Sequence, residues 1–206
     1  MRLIVAGTPE VALPSLDALA VRHDIVAVLT RPPAAQGRHA RLVPSPVASW
    51  AQARGVEILD PVSPRDPALL ERLVALAPDC CPVIAYGGLI PPALLAVPVH
   101  GWVNLHFSLL PRWRGAAPVQ HALLAGDSVT GVTVFRLVKE LDAGPVYVRR
   151  EVPIEADEVA GDLLDRLSIV GAEALCETLD AIESGRTPVE QLGDGVTLAP
   201  KIEVED

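Results

Sequence analysis

Short apolar runs alternate with amphipathic stretches along almost the whole chain. Arg2 to Ala6 is apolar and closes at Gly7-Thr8-Pro9, which predicts a strand, a tight turn and a helix to about Ala20, with Thr8 as N-cap and Pro9 at its first position. Asp24 to Thr30 alternates and is rich in Val and Ile, so it predicts a second strand. From Arg31 to Pro46 no period holds, and the segment is expected to be a loop long enough to carry a function. Val47 to Arg54 predicts a helix, Val56 to Leu59 a short strand, and Pro67 to Ala77 a helix capped by Asp66. Cys80 to Tyr86 is continuously apolar, the mark of a strand buried on both faces, with Pro82 signalling a bulge or a late start. Further on, Ala116 to Ala125 predicts a helix, and Thr130 to Val138 and Pro145 to Arg150 predict strands joined by Lys139 to Gly144. Glu158 to Ser184 predicts a long amphipathic helix with Leu163, Leu164, Leu167, Val170, Leu175 and Leu179 mostly on one face. From Gly185 a tail is expected, with weak strand character at Val196 to Leu198. The alternation of strands and helices predicts an α/β fold with a doubly wound, mostly parallel sheet.

One stretch stands apart. Asn104-Leu-His-Phe-Ser-Leu-Leu-Pro-Arg-Trp-Arg-Gly115 follows an apolar run that includes Trp102 and Val103, so it leaves the end of a buried strand. Asn104 and His106 are two apart and share one face of that strand. At the carboxyl end of a parallel strand, that face opens where ligands bind in such sheets. Taken singly, Asn104 reads as a turn former, His106 as a satisfied core histidine, and Asp142 before Ala143-Gly144 as a turn residue. From Cys80 to Gly126 the only formal charges are Arg112 and Arg114, so much of this region is expected to be buried or to line a pocket.

Composition narrows the class. Half of the 206 residues are hydrophobic, enough for a substantial core, and no run approaches the length of a membrane-spanning helix. Gly7, Pro9 and Glu10 break the N-terminal apolar run, against a signal peptide. Cys80, Cys81 and Cys176 have no metal-ligand spacing and are expected to be buried, reduced thiols in a cytoplasmic protein, with no metal. The net charge of −9 conceals an asymmetry: residues 151–206 carry 15 acids and 3 bases, while residues 1–150 carry 11 acids and 14 bases. Arg31 to Val56 contains Arg31, Arg38, Arg41, Arg54 and His39 and no acid, either a solvated loop or a phosphate-contacting one.

The Asn104–Pro111 stretch and Gly115 resemble the signature of the 10-formyltetrahydrofolate-dependent formyltransferases, Asn-x-His-x-Ser-Leu-Leu-Pro with a later Gly. Arg112 to Gln120 is more similar to the members that act on methionyl-tRNA than to those that act on glycinamide ribonucleotide or sugars. Ala6 to Glu10, Pro44 to Val47, Ala85 to Gly87, Thr130 to Thr133 and Leu141 to Pro145 extend the resemblance along the chain in order. It implies formyl transfer from 10-formyltetrahydrofolate to the amino group of initiator methionyl-tRNA. A sugar nucleotide or small amine as acceptor, and hydrolysis of the formyl donor, are the alternatives.

The same resemblance implies a site. Asn104 would donate to the developing oxyanion, His106 would donate to it or shuttle protons, and Asp142 would orient His106 and take up the amine proton. The folate donor would lie against Ser108, Leu109, Leu110 and Pro111, with Tyr86, Gly87, Gly88, Leu89, Ile90 and the Val138 to Asp142 loop as its other walls. Glu140 stands where the family commonly has Gly. Arg38, Arg41, Arg112 and Arg114 would contact tRNA. Residues 1–184 are expected to be the catalytic domain of a monomer and 185–206 a tail or linker. Family members continue past the equivalent of Ala199 to Ile202 into a β-rich domain that holds tRNA. The expectation is that a chain without it binds folate but uses tRNA poorly.

Overall fold

A computed structural model describes residues 1–36 and 40–202 of the chain. The chain forms two compact units, Met1–Trp102 and Val103–Asp206. The first begins with β1 (Arg2–Gly7), α1 (Leu13–Arg22) and β2 (Asp24–Leu29). A short hairpin follows, β3 (Ala34–Gln36) and β4 (Arg41–Val43), and then α2 (Pro46–Arg54) and β5 (Glu57–Leu59). The unit closes with α3 (Pro67–Leu76), β6 (Cys81–Ile84) and α4 (Pro92–Leu95). Its strands pair in parallel in the order β6-β1-β2-β5. Leu3, Ile4, Val5, Val28 and Leu29 have no exposed surface, as expected of parallel strands covered on both faces.

Local chemistry sets the element ends. Ser45 caps α2: its Oγ accepts from the Ala48 N–H at 3.0 Å, and Gly55 ends the helix in the left-handed conformation at φ 66°. Asp66 caps α3 through the Ala68 N–H. Thr8 does not cap the first helix. Its hydroxyl donates to the Tyr86 carbonyl at 2.9 Å, and a single 3₁₀ turn (Glu10–Ala12) precedes α1, so the predicted start shifts to Leu13. The stretch expected to be a loop from Arg31 contains the β3–β4 hairpin.

The second unit contains β7 (Trp102–His106, entered from the last residue of the first), β8 (Arg114–Gly115), α5 (Pro118–Leu124), β9 (Val129–Arg136), β10 (Val146–Pro153), α6 (Ala160–Glu183) and β11 (Leu198–Ala199). Here β7, β9 and β10 are antiparallel neighbours. The α6 helix lies on β9 and β10 and buries Leu163, Leu167, Leu175 and Leu179 there. Leu164 and Val170 sit at the half-buried edge of that stripe. At Gly171 the helix passes close to β7: a Cβ there would stand 2.6 Å from Leu105 Cδ2, and the Leu105 side chain would have to shift to admit it. The main sheet has seven strands, mostly parallel and flanked by helices, so the fold is α/β.

Candidate active site

The expected catalytic residues all belong to the second unit. Strand β7 places Asn104 opposite Phe135 and His106 opposite Thr133 of β9, so both side chains emerge on one face. Asn104 is half-buried, whereas His106 is 6% exposed and its ring packs edge-on against Phe135. The His106 Nε2 lies 2.8 Å from the Trp113 carbonyl. A carbonyl only accepts, so Nε2 carries the proton and the neutral ring presents a bare Nδ1. That nitrogen faces Asp142 Oδ2 at 3.9 Å. Burial pushes the His106 pKa below its ordinary value, opposed by the Asp142 charge and the Trp113 carbonyl. The resting imidazole at neutral pH is therefore neutral, with its open proton position beside a carboxylate.

Asp142 is fixed in turn. It is 8% exposed, and its Oδ2 accepts from the Gly115 N–H at 2.8 Å. Its own backbone is left-handed, with φ 45°. Trp113 and Gly115 also have positive φ, so a sharply wound segment aims the Trp113 carbonyl at His106 and the Gly115 N–H at Asp142. The two ends of the pair are thus held by backbone groups of one three-residue segment, while the side chains come from β7 and from the loop after β9.

The Ser108–Pro111 loop is held from within. Ser108 donates to the Arg112 carbonyl at 2.6 Å, and Thr133 Oγ1 donates to the Ser108 carbonyl while accepting from the Leu110 N–H. Leu110 is buried with Phe135 and Val146, and half-buried Leu137 packs against them. Leu109 and Pro111 remain half-buried and face outward more than Ser108 or Leu110, and Val138 is half-buried on its loop. In the first unit, Tyr86 is buried, Gly88 and Ile90 are half-buried, and Gly87 and Leu89 are exposed. Thr8 and Arg31 bond the Tyr86 and Gly87 carbonyls and hold that turn.

Of the four arginines expected to meet tRNA, Arg38 lies outside the described residues, and Arg41 is exposed on β4. Arg112 is engaged: it forms a two-pronged ion pair with Asp127 at 2.6 and 3.1 Å and lies over the Trp113 ring. Burial raises the pKa of Asp127, but hydrogen bonds from Arg112 and the Trp113 indole outweigh it and hold the group below its ordinary value. Arg114 donates to Gln191 Oε1 at 2.7 Å, and its Nε is buried without a partner among the described residues. Asp127, Thr133 and Gln191 were not singled out from sequence. Thr133 lies in the Thr130–Thr133 motif, but nothing in the motif itself indicates that its hydroxyl braces a loop. Cys80, Cys81 and Cys176 are buried and form no disulfide, and burial drives the Cys81 pKa well up. Among the described residues, no helix is long and apolar enough to cross a membrane.

Comparison with known proteins sets the class first. A profile of the formyl transferase family matches residues 1–179. The solved structure of glycinamide ribonucleotide transformylase 1 from Symbiobacterium toebii superposes with a TM-score of 0.76 at 23% identity, covering 92% of this chain and 91% of that one, which establishes the shared fold. Closer relatives narrow the class. The chain is 59% identical over 208 residues to the methionyl-tRNA formyltransferase of Salinispora tropica and 57% identical over 209 residues to that of Streptomyces coelicolor. Both matches take in all of this chain, and 68% and 67% of the respective relatives. The chain belongs to the methionyl-tRNA formyltransferase family.

Proposed function

We propose that this chain moves the formyl group of 10-formyltetrahydrofolate onto the amino group of initiator methionyl-tRNA, with Asn104, His106 and Asp142 as its catalytic residues. The observation that carries the reading is the His106–Asp142 pair: a buried, neutral imidazole whose open Nδ1 faces a carboxylate fixed by a backbone N–H. Attack by the amine nitrogen on the formyl carbon forms one C–N bond and places charge on the formyl oxygen. The amide N–H of Asn104 donates to that oxygen. The proton leaving the amine goes to His106 Nδ1, where the Asp142 charge stabilises the imidazolium. It then passes to the folate nitrogen as the second C–N bond breaks, so proton and electrons balance without a covalent enzyme intermediate. With Nε2 already bonded to Trp113, His106 acts as the shuttle, and the oxyanion role falls to Asn104.

Donor contacts are assigned, on the family resemblance, to Ser108, Leu109, Leu110, Pro111 and Val138 and to Tyr86, Gly87, Gly88, Leu89 and Ile90. Ser108 and Leu110 would act through backbone groups of their loop other than the Ser108 carbonyl and the Leu110 N–H, which Thr133 occupies, since their side chains are spent on holding the loop. For tRNA, Arg38 is assigned on the family resemblance, and Arg41 is exposed and, among the described residues, unencumbered as a phosphate contact; Arg112 would have to share or exchange Asp127. The test is one incubation of the chain with 10-formyltetrahydrofolate, with and without charged initiator tRNA, following formate and formyl-methionyl-tRNA. The reading expects formylated tRNA and little free formate. Formate released equally without tRNA would mark a hydrolase, and turnover only with an added amino sugar nucleotide would move the acceptor to that class.

A further inference from the structure

Residues 185–202 do not trail away from the second unit; they cross back over the segments that hold His106 and Asp142. Val189 exchanges both backbone hydrogen bonds with Val146, at 2.7 and 2.8 Å. The chain next meets the catalytic loop through Gln191, and then runs parallel to Arg114–Gly115 as β11. Thr197 Oγ1 accepts from the Trp113 N–H at 2.8 Å, and the Thr197 carbonyl accepts from the Arg114 N–H at 2.9 Å.

Gln191 makes three directed bonds. Its Nε2 donates to the Asp142 carbonyl at 2.9 Å and to the Gly144 carbonyl at 2.8 Å, and its Oε1 accepts from Arg114 Nη2 at 2.7 Å. A side-chain amide has two N–H donors and one oxygen, so both donors are committed to one loop. That loop requires holding. Asp142 occupies the left-handed region, which for a residue other than glycine persists only where the surroundings enforce it. Within the loop, the Ala143 N–H to Glu140 carbonyl bond is long, at 3.5 Å, and Glu140 and Leu141 are exposed. We propose that Gln191 is a positioning residue for formyl transfer: by clamping the Asp142 and Gly144 carbonyls to Arg114, it holds the Asp142 carboxylate in register with His106.

This inference rests on the reaction proposed above, and the experiment separates the two. Single-turnover formylation, donor affinity and the thermal midpoint are measured for the wild-type chain, Q191A, Q191E and the neighbouring exposed-site control E190Q. Q191E keeps the length and the Arg114 contact but loses both donors. Displacement of a reacting group by an ångström costs about 100-fold, so Q191A and Q191E are expected to lower the rate at saturating substrates by about 10- to 100-fold. The E190Q rate should stay within about twofold of wild type, and any loss of donor affinity in Q191A and Q191E should be smaller than the loss of rate. Because Gln191 acts through Asp142, adding Q191A to D142A should cost less than about twofold more. A rate within about twofold of wild type in Q191A and Q191E, or a full multiplicative loss on top of D142A, overturns the inference. A wild-type chain that forms no formylated product overturns both the reaction and the inference.

Discussion

Replacing Gly115 with alanine tests whether the Trp113–Gly115 segment and the returning C-terminal strand form one support for the His106–Asp142 pair. Gly115 sits at φ 129°, where a side chain is strained, and a Cβ would stand 2.5 Å from the Ala199 carbonyl oxygen and 3.0 Å from its carbon. Ordinary contact begins at about 3.5 Å, so β11 must retreat by roughly 1 Å. Two backbone bonds span this contact, Arg114 N–H to the Thr197 carbonyl at 2.9 Å and Ala117 N–H to the Ala199 carbonyl at 3.1 Å, and such a retreat takes both out of range. Strain of about 1–3 kcal/mol and two lost bonds at about 0.5–1.5 kcal/mol each give about 2–6 kcal/mol of destabilisation. The activity loss is separate. The Gly115 N–H also bonds Asp142 Oδ2, and a hydrogen bond to a charged group contributes about 1.5–3 kcal/mol, or about 10- to 100-fold in rate if it is lost from the transition state. The assays are urea denaturation and single-turnover formylation of G115A. G193A serves as control, since a Cβ at Gly193 meets nothing within 4 Å. A destabilisation below about 0.5 kcal/mol with an unchanged rate would refute the reasoning, because ordinary surface substitutions stay within that range.

Two further outcomes are expected. Burial lowers the His106 pKa below the value of about 6.5 that the side chain has in an unfolded chain, so the unfolded state binds more protons as the pH falls. The contribution of neutral His106 to stability is therefore complete above about pH 6.5 and is lost as the pH drops through the folded value; urea denaturation across that window should show the gap between wild type and H106N closing, and a constant gap would contradict the sign. S45A removes the acceptor for the Ala48 N–H and leaves the buried Thr30 hydroxyl, 2.7 Å away, without that partner; it should cost about 1–3 kcal/mol in urea denaturation.

What could be read from the sequence divides along physical lines. The long helix was visible because its apolar residues recur at helical spacing, and α6 (Ala160–Glu183) falls within the expected Glu158 to Ser184. The shared face of Asn104 and His106 follows from strand alternation alone. The β3–β4 hairpin was not visible, since Ala34–Gln36 and Arg41–Val43 carry no alternating pattern and are paired through their backbones. Thr8 looked like a cap because it precedes Pro9, yet a carbonyl 78 positions away takes its hydroxyl. The supports of the His106–Asp142 pair were hidden for the same reason. The Trp113 carbonyl and the Gly115 N–H are backbone groups that any residue would carry, and Gln191 and Thr197 reach their partners only after the chain has folded back.

The central claim is that His106 and Asp142 move the proton that formyl transfer requires, and single-turnover kinetics test it most directly. Wild type, H106N and D142N are each mixed with saturating 10-formyltetrahydrofolate and charged initiator tRNA, with donor affinity measured in parallel. General acid–base catalysis contributes about 100- to 10,000-fold, so both variants should lose that much rate while donor affinity holds, because their role lies in the transition state. A near-wild-type rate in either variant, or a loss explained wholly by weaker donor binding, would contradict the account.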